Sequence, residues 1–289
     1  MKNFESKPIF LVYTYLFIVV LVLNSRPASS WLEVEKLQQE DFSYVTGSGN
    51  GPENWGDLRP EWVTCKNGTK QSPIDLAFIK MKYAPELGDL QMNYTPAYGI
   101  LKNRGHDISL QWVVNGSAGS IQIDNTTYML DNIHWHSPSE HTINGIRFGL
   151  EQHLVHRNLQ LQKVAVVAVI YAISIFKDPF LSKLEGKIMD ISSTGASEVY
   201  AGLVDPNDID MSDRRYYRYL GSLTMPPCDE GVIWTIKKKV MPVRRDHVLL
   251  LRRAVHDGDD NNARPLQPLN NRDILYYPAL RTPPLVDSM

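Results

Sequence analysis

The stretch that most constrains this chain is residues 132–156, which contain five of its eight histidines. His134 and His136 stand two apart in one alternating run, and His153 occupies a second run. Asn144-Gly145 lies between the runs, and this dipeptide is typical of a tight β-hairpin turn. Side chains two apart in a strand point to the same face. If the two strands pair, three imidazoles converge as in a zinc site with an open fourth position.

Glu151 favours the metal-site interpretation because it precedes His153 by two residues and faces the same side of the predicted strand. Metal-bound imidazoles commonly donate their other N–H to a carboxylate or a carbonyl. For any single histidine, the alternative is a hydrogen-bonded core residue. A second alternative is a cupin metal motif, because His134-x-His136-x3-Glu140 has the required spacing. We find no companion cupin motif, so this alternative is disfavoured.

The composition argues against a nucleic-acid partner. The formal net charge is −2, 21% of the residues are charged, and no surface-sized patch of Lys and Arg stands out. A chain of 289 residues is long enough to bury a substantial core in one large β domain. No repeat or linker divides residues 31–289, so we predict a single domain there.

Residues 1–30 have the features of a secretory signal peptide. An apolar run over 9–23 follows Lys2 and Lys7, and small residues at 28–30 would suit cleavage. The apolar run of about fifteen residues is short for a membrane span, which needs roughly 20 residues. An uncleaved membrane anchor is therefore the less favoured alternative. We expect no membrane span after cleavage, and the extracellular space is the default destination.

Two further features fit the secretory route. Cys65 and Cys228 form an even pair, which suggests one disulfide in an oxidising compartment, with two free thiols as the alternative. Pro96 disfavours one of the glycosylation sequons because it follows directly after Thr95. The four predicted N-glycosylation sites are Asn67, Asn93, Asn115 and Asn125.

The residue pattern predicts a mainly β fold. Helices are expected only after Asp178-Pro179, which reads as an N-cap and first-turn pair, and over 244–256. Alternating or β-branched runs bounded by Gly, Asn and Pro predict strands at 107–114, 119–124, 127–136, 148–156, 164–175 and 231–241.

Eight short motifs run in order across nearly all of the mature chain, and together they resemble the α-class carbonic anhydrases, most closely the plant secretory type. The motifs are Gly51-Pro-Glu-Asn-Trp55, Gln71-Ser-Pro-Ile74, Asn103-Arg-Gly-His106, His134-Trp-His136, Ser139-Glu-His-Thr142, Glu151-Gln-His-Leu-Val-His156, Gly221-Ser-Leu-Thr-Met-Pro-Pro-Cys228 and Arg264-Pro-Leu-Gln-Pro268. Each motif alone is weak, whereas eight in sequence order are specific.

The resemblance implies a single-domain fold with a central, largely antiparallel ten-stranded twisted sheet and short surface helices. It implies Zn²⁺ held by His134, His136 and His153. The implied activity is that of a lyase, carbonate dehydratase: reversible hydration of carbon dioxide to bicarbonate and a proton by a zinc-bound hydroxide. The resemblance also implies a disulfide between Cys65 and Cys228, and a monomer or homodimer.

The resemblance assigns further roles around the metal. Thr224 would accept a hydrogen bond from the hydroxide and donate its own to Glu140, while His106 would carry the released proton to solvent. Glu151 and Asn132 would be the outer hydrogen-bond partners of the zinc ligands. Carbon dioxide is apolar, so its pocket should be an apolar wall. The pocket residues would be Val155, Val166, Leu223, Met225, Val232 and Trp234.

Departures from the family pattern keep other functions open. Met225 stands where most members have a small hydroxyl residue, which predicts reduced catalysis. Asn132 stands where many have Gln, which predicts weaker zinc retention, and Arg104 places a cation next to His106. The alternatives are a weakly active or non-catalytic storage or binding protein, as known for this fold in tubers and nectar, and a manganese cupin oxidase. Delivery to the chloroplast through the secretory route is a second possible destination.

Overall fold

The computed structural model describes residues 42–256 and 261–279. The predicted signal peptide over 1–30 lies outside these residues. All of the described residues fall in one compact unit, Glu40–Met289. The start of the mature domain at residue 31 stays a prediction. In the described ranges, no helix combines the length and the hydropathy needed to cross a membrane.

Sixteen strands make up most of the regular secondary structure of the described residues, and the predicted mainly β fold is confirmed. Their bounds are β1 Asp75–Leu76, β2 Met81–Tyr83, β3 Gln91–Tyr94, β4 Ala97–Asn103, β5 Ile108–Trp112, β6 Gly119–Ile123, β7 Thr126–His136, β8 Thr142–Ile143, β9 Ile146–Arg147, β10 Leu150–Asn158, β11 Lys163–Ser174, β12 Glu198–Val204, β13 Tyr216–Ser222, β14 Glu230–Lys237, β15 Met241–Arg244 and β16 Ile274–Tyr277.

The central sheet contains ten strands in one continuous path, as expected, with three more strands attached to it. Within the described residues the path runs β12-β4-β5-β7-β10-β11-β14-β13-β16-β2, while β15 pairs with β11 and β3 and β6 extend from β7. The sheet is mixed rather than purely antiparallel. Strand β11 runs parallel to β14 and β15, and β16 runs parallel to β2.

A separate small sheet contains the Asn144-Gly145 turn. Strands β8 and β9 form a two-residue hairpin whose turn residues have φ of 49° and 76°, and β1 pairs with β8 in parallel. Positive φ at both turn positions is the conformation that Asn-Gly favours. The predicted turn is therefore present. The long ladder that carries the histidines is formed by β7 and β10, the strands that precede and follow this small hairpin in the sequence.

The two faces of the central strands serve different purposes. On β10, Leu150 and Leu154 enter the large apolar core that helices cover, while Val155 packs in a second core on the opposite face. Strand β11 is apolar on both faces, with Val167 on the first and Val166 on the second. Glu151 and His153 alternate with Leu150 and Leu154, and therefore share the second face with Val155.

Both helices that the residue pattern predicts are present, and two four-residue helices that it did not indicate precede them in the described chain. Helix α1 spans Trp55–Leu58, α2 spans Thr64–Asn67, α3 spans Pro179–Thr194 and α4 spans Arg245–Val255. Single 3₁₀ turns span Pro60–Trp62, Phe78–Lys80, Pro85–Leu87 and Pro206–Asp208.

Helix α3 begins where the sequence predicts. The carboxylate of Asp178 accepts the backbone N–H of Leu181 at 2.8 Å, with Pro179 in the first turn. Gly195 ends the helix with a left-handed φ of 67°. Its buried residues recur at helical spacing and face the large core: Phe180, Leu181, Leu184, Ile188 and Ile191.

A third apolar cluster forms around the disulfide. Cys65 and Cys228 are bonded to each other, which confirms the predicted disulfide. The bridge packs against four buried aromatic side chains, and the partly buried Met225 joins them. The aromatic members are Phe42, Tyr44, Trp55 and Trp62.

Candidate metal centre

Three histidine rings converge on one face of the β7–β10 pair. His134 and His136 project together from β7, and the antiparallel register sets His153 of β10 directly opposite His134. One ring nitrogen from each residue can be chosen so that all three lie within 4.8 Å of one another. The three side chains are buried, with exposures of 8%, 1% and 1%. The geometry that the sequence predicted for these residues is therefore present.

Each of the three rings uses one nitrogen to hold its orientation. His134 Nδ1–H donates to Asn132 Oδ1 at 2.9 Å, and His136 Nδ1–H donates to the main-chain carbonyl of Asn262 at 2.7 Å. His153 Nε2–H donates to Glu151 Oε1 at 2.7 Å. These acceptors fix the tautomer, because a carbonyl or carboxylate oxygen accepts only. Nε2 of His134, Nε2 of His136 and Nδ1 of His153 remain for a metal.

The residues fit a zinc ion. His136 Nε2 is buried and has no hydrogen-bond partner in the described part of the chain. An imidazole nitrogen left bare in an apolar interior is costly unless something occupies it. Three neutral imidazoles with outer hydrogen-bond partners are the donor set of catalytic zinc sites.

The electrostatics of the site favour neutral imidazoles. Burial, together with the nearby charge of Arg104, holds the pKa of His134 well below its usual range. Burial also lowers the pKa of His153, although Glu151 acts in the opposite direction. A metal binds the unprotonated ring, so both shifts leave the site ready for a cation at neutral pH.

Glu151 connects the metal site to a buried hydrogen-bond chain. Its carboxylate accepts from the rings of His153 and His141, each at 2.7 Å, and from the His141 backbone N–H at 2.8 Å. His141 Nε2 bonds to Tyr219 Oη at 2.8 Å, and this hydroxyl contacts Ser72 Oγ at 2.7 Å. Burial alone would raise the pKa of Glu151, but the two histidines hold it well below its usual range.

A second group of three potential ligands, His141, Glu151 and His153, is better explained as this network. Each short contact among them joins an N–H donor to a carboxylate acceptor, so the atoms already satisfy one another. A cation there would have to displace two hydrogen bonds. We therefore assign these residues to orientation of His153.

Glu140 and Thr224 are both buried, as their expected roles require. Glu140 Oε1 accepts the backbone N–H of Arg264 at 2.9 Å. Its Oε2 has no hydrogen-bond partner in residues 42–256 and 261–279. The hydrogen bond from Thr224 to Glu140 therefore stays a prediction, with one buried carboxylate oxygen available to accept it.

Five of the six expected pocket residues gather in one apolar cluster beside the histidines. The register aligns Val155 with Val166 and Val166 with Trp234 across three strands. This row lies two residues along β10 from His153, about 7 Å at the usual strand rise. The Trp234 ring is 4.9 Å from that of His153. The other members are Leu223 and Val232.

Met225 does not join this wall. Its side chain packs in the cluster around the disulfide and Phe42. The Met225 carbonyl accepts the backbone N–H of Cys228 at 2.9 Å, so the disulfide borders the turn that contains Thr224. The contribution of Met225 to a substrate pocket stays a prediction.

His106 lies in the turn between β4 and β5, with its ring centred 4.2 Å from that of Phe42. Arg104 does not stand alone as a cation beside it. Its guanidinium donates twice to the buried Asp107 carboxylate, at 2.7 and 2.5 Å. Part of the positive charge next to His106 is therefore neutralised within the same turn.

Sequence reasoning missed several residues that hold the site together. Asn262 accepts from His136 with its main-chain oxygen, 126 residues away in sequence. A backbone acceptor leaves no mark on residue type, so no pattern pointed to it. Arg264 was noted only as part of a motif, and its side chain donates to Gln71, Ser72 and Cys65 in the interior.

Comparison with protein families now decides the assignment. The model of the eukaryotic-type carbonic anhydrase family matches residues 50–278, which include every residue of the candidate metal centre. The chain belongs to this family.

The relatives of this chain include dioscorins and plant alpha carbonic anhydrases. Dioscorin DB3S of Dioscorea polystachya is 46% identical over 263 residues, covering 91% of this chain and 95% of its own length. Alpha carbonic anhydrase 7 of Arabidopsis thaliana is 44% identical over 281 residues, covering 97% and 100%. A crystal structure of dioscorin complexed with ascorbate has a TM-score of 0.80 at 47% identity, covering 84% and 100%.

Proposed function

We propose that the protein catalyses the zinc-dependent, reversible hydration of carbon dioxide to bicarbonate and a proton. The observation that carries the proposal is the set of three buried imidazoles, each oriented by its own acceptor and each with one nitrogen left for a metal. Membership of the carbonic anhydrase family supports the same chemistry.

Zinc would be held by His134 Nε2, His136 Nε2 and His153 Nδ1. When bound, it supplies Lewis-acid chemistry that makes coordinated water acidic near neutral pH, an effect for which carbonic anhydrase is the standard example. Neutral imidazole ligands preserve the full positive charge of the ion. Asn132, Glu151 and the Asn262 carbonyl keep the ligands in place.

The chain's own groups would orient the reactants. The Thr224 hydroxyl would donate a hydrogen bond to Glu140 Oε2, the buried oxygen that has no partner among the described residues. The threonine oxygen is then left to accept a hydrogen bond from the reacting water. Carbon dioxide would rest against Val155, Val166 and Trp234, where an apolar wall binds it without competing hydrogen bonds.

The proton released in each turnover would leave through His106. An imidazole titrates near neutral pH, which suits it to accept a proton from the site and give it to buffer. Phe42 and Tyr44 pack around the ring and limit its orientations.

We also propose that the protein is a secreted glycoprotein. The apolar segment in residues 1–30 supports entry into the secretory pathway. The disulfide fits an oxidising compartment. The asparagines of all four sequons are exposed: Asn67, Asn93, Asn115 and Asn125.

A second function is favoured by Met225 and by the dioscorin relatives. In this alternative, the protein is a weakly active or non-catalytic member of the family that stores or binds a small molecule. Met225 would remove a hydroxyl donor from the pocket. Because one dioscorin was solved in complex with ascorbate, that compound is the first ligand to test.

Stopped-flow hydration of carbon dioxide by the purified protein tests the proposal, with His136→Ala as the control. We expect rapid hydration by the parent and a rate equal to buffer alone for the variant. Titration calorimetry with ascorbate on the same sample tests the alternative. Ascorbate binding without hydration above the buffer rate would replace the first function by the second.

A further inference from the structure

Asn262 stands where two parts of the site meet. It is 2% exposed and makes five hydrogen bonds to two short segments, 135–137 and the turn at His106. Its main chain bonds to two residues of the first segment: its N–H donates to the Ser137 carbonyl, and its carbonyl accepts from the His136 ring. The main-chain bond to His136 would survive any substitution at this position.

The Asn262 side chain makes a different set of contacts. Its Oδ1 accepts the Ser137 backbone N–H at 2.8 Å, and its Nδ2 donates to the carbonyls of His106 at 2.9 Å and Trp135 at 3.1 Å. All of these partners are main-chain atoms, so the contacts of the amide depend on where the backbone lies and not on which side chains the partner residues carry. One NH₂ group thus joins the turn at His106 to the strand that ends at His136.

The rest of the turn at His106 is tied to other parts of the molecule. Asn103 Nδ2 donates to the carbonyls of Ala254 and Val255, and Asn103 Oδ1 accepts from Gly105. These bonds hold the beginning of the turn to helix α4. The bond from Asn262 holds its middle to the metal-ligand strand.

Asn262 also lines a small cavity together with Asp107, Trp135 and Arg252. Truncation of the side chain would enlarge this cavity and leave the His106 carbonyl without the donor that the amide supplies.

We propose that the side-chain amide of Asn262 is a positioning group that fixes the distance between the proton carrier His106 and the metal ligands. The inference rests on the proposed hydration function and on the assigned role of His106. Proton transfer depends steeply on geometry, because donor and acceptor must stay within reach through one or a few waters. Loosening the turn would slow proton release without changing how carbon dioxide reacts.

Two variants separate this role from simple structural support. Asn262→Ala removes both donors and the acceptor. Asn262→Asp keeps an acceptor for Ser137 but places a carboxylate oxygen against the carbonyls of His106 and Trp135. The matched control is Asn261→Asp, the same change at the neighbouring exposed residue, whose side chain accepts the backbone N–H of Ala263.

The first readout compares the effect of each substitution on kcat with its effect on kcat/KM. Both constants are measured for hydration in weak buffer, on the high-pH plateau. We expect kcat of both Asn262 variants to fall about tenfold, part of the 10²–10⁴ that acid–base groups contribute. We expect kcat/KM to stay within about twofold of the parent, because it does not include proton release to buffer. Added imidazole should restore kcat by accepting the proton directly. Asn261→Asp should match the parent.

The second readout does not depend on activity. The NMR line of His106 Cε1–H is shifted by the adjacent Phe42 ring in the zinc-loaded protein, and we expect it to move toward the position of free imidazole in the Asn262 variants alone. An unmoved line, with kcat and kcat/KM falling together and no rescue by imidazole, would overturn the proposal. If the parent protein does not hydrate carbon dioxide, the proposed function fails, and the His106 line alone decides whether Asn262 positions the turn.

Discussion

His136 is the residue on which the metal interpretation depends most. Its Nδ1 is committed to the Asn262 carbonyl, and its Nε2 is buried without a partner in the described ranges. His134 and His153 are oriented in the same way, each by one hydrogen bond, to Asn132 and Glu151. The neighbours of the site therefore divide into residues that orient a metal ligand and residues that shape the pocket. We expect substitutions of the two kinds to have different effects.

Asn132 belongs to the orienting kind. Asn132→Ala removes the acceptor of His134 Nδ1–H, and we expect the zinc dissociation constant to rise about 10- to 100-fold. Competition with a coloured chelator measures it. Asn132→Gln supplies the longer side chain that many family members have. Tighter zinc binding by this variant would support the expectation that the shorter Asn132 weakens zinc retention. An unchanged constant in Asn132→Ala would show that this hydrogen bond does not support the metal.

Met225 is the expected pocket residue that lies outside the apolar wall, in the cluster around the disulfide. Met225→Thr supplies the hydroxyl that most family members have there, and we expect kcat/KM for hydration to rise by up to about tenfold. That is the effect of a hydrogen bond to a charged group worth about 1.5 kcal/mol. Met225→Leu, which has similar bulk and no hydroxyl, should leave the rate unchanged. Equal rates for Met225→Thr and the parent would refute the prediction.

Elements that carry the site were the easiest to predict from sequence. The alternation at 127–136 and 148–156 corresponds to β7 and β10, and the apolar run at 164–175 corresponds to β11. In contrast, strands β12 and β13 and the parallel pairing of β11 with β14 were not foreseen. Such pairings depend on contacts between distant segments, which local periodicity does not record. The same reason explains why Asn262 was missed while the three histidines were found.

Helix α3 provides a test at the scale of one element. Asp178→Ala removes the N-cap acceptor of Leu181, and we expect the free energy of unfolding to fall by about 1 kcal/mol. Urea unfolding followed by circular dichroism measures this change. Asp178→Asn keeps a capping oxygen and should be nearly neutral. Zinc affinity should not change in either variant, because α3 packs on the sheet face opposite the histidines. A change in zinc affinity would contradict that separation of faces.

For the whole molecule, one sheet separates a helix-covered core from the face that holds the site. The disulfide adds a long-range tie, because it closes a separation of 163 residues beside the Thr224 turn. In the chain-entropy description, a loop of this length contributes about 5 kcal/mol to stability. Several buried histidines, by contrast, lower the stability of the folded protein as the pH falls.

His156 gives the global pH prediction. Burial lowers its pKa to about 3, while Tyr94 bonds to its ring at 2.9 Å. Below pH 6.5, the ordinary pKa of a histidine, the unfolded chain takes up a proton at this residue that the folded chain does not. Stability is therefore lost as the pH falls from 6.5 toward 3, at up to about 1.4 kcal/mol per pH unit.

His156→Gln removes this contribution. In the metal-free protein, we expect the slope of the unfolding free energy against pH to be smaller in the variant between pH 6 and 4. The decrease should be about 1.4 kcal/mol per pH unit, which corresponds to the uptake of one proton. The absolute stability of the variant is lower, so the comparison uses slopes from urea unfolding at several pH values. Equal slopes for the parent and the variant would show that His156 is protonated in the folded state.

The most direct measurement of the central claim is a zinc titration of the metal-free protein with carbon dioxide hydration followed at each addition. The account predicts that the hydration rate rises linearly and breaks at one zinc per chain. It also predicts that His134→Ala, His136→Ala and His153→Ala each abolish the rise. Saturation with one zinc and no hydration would contradict the account, and so would hydration that does not depend on zinc.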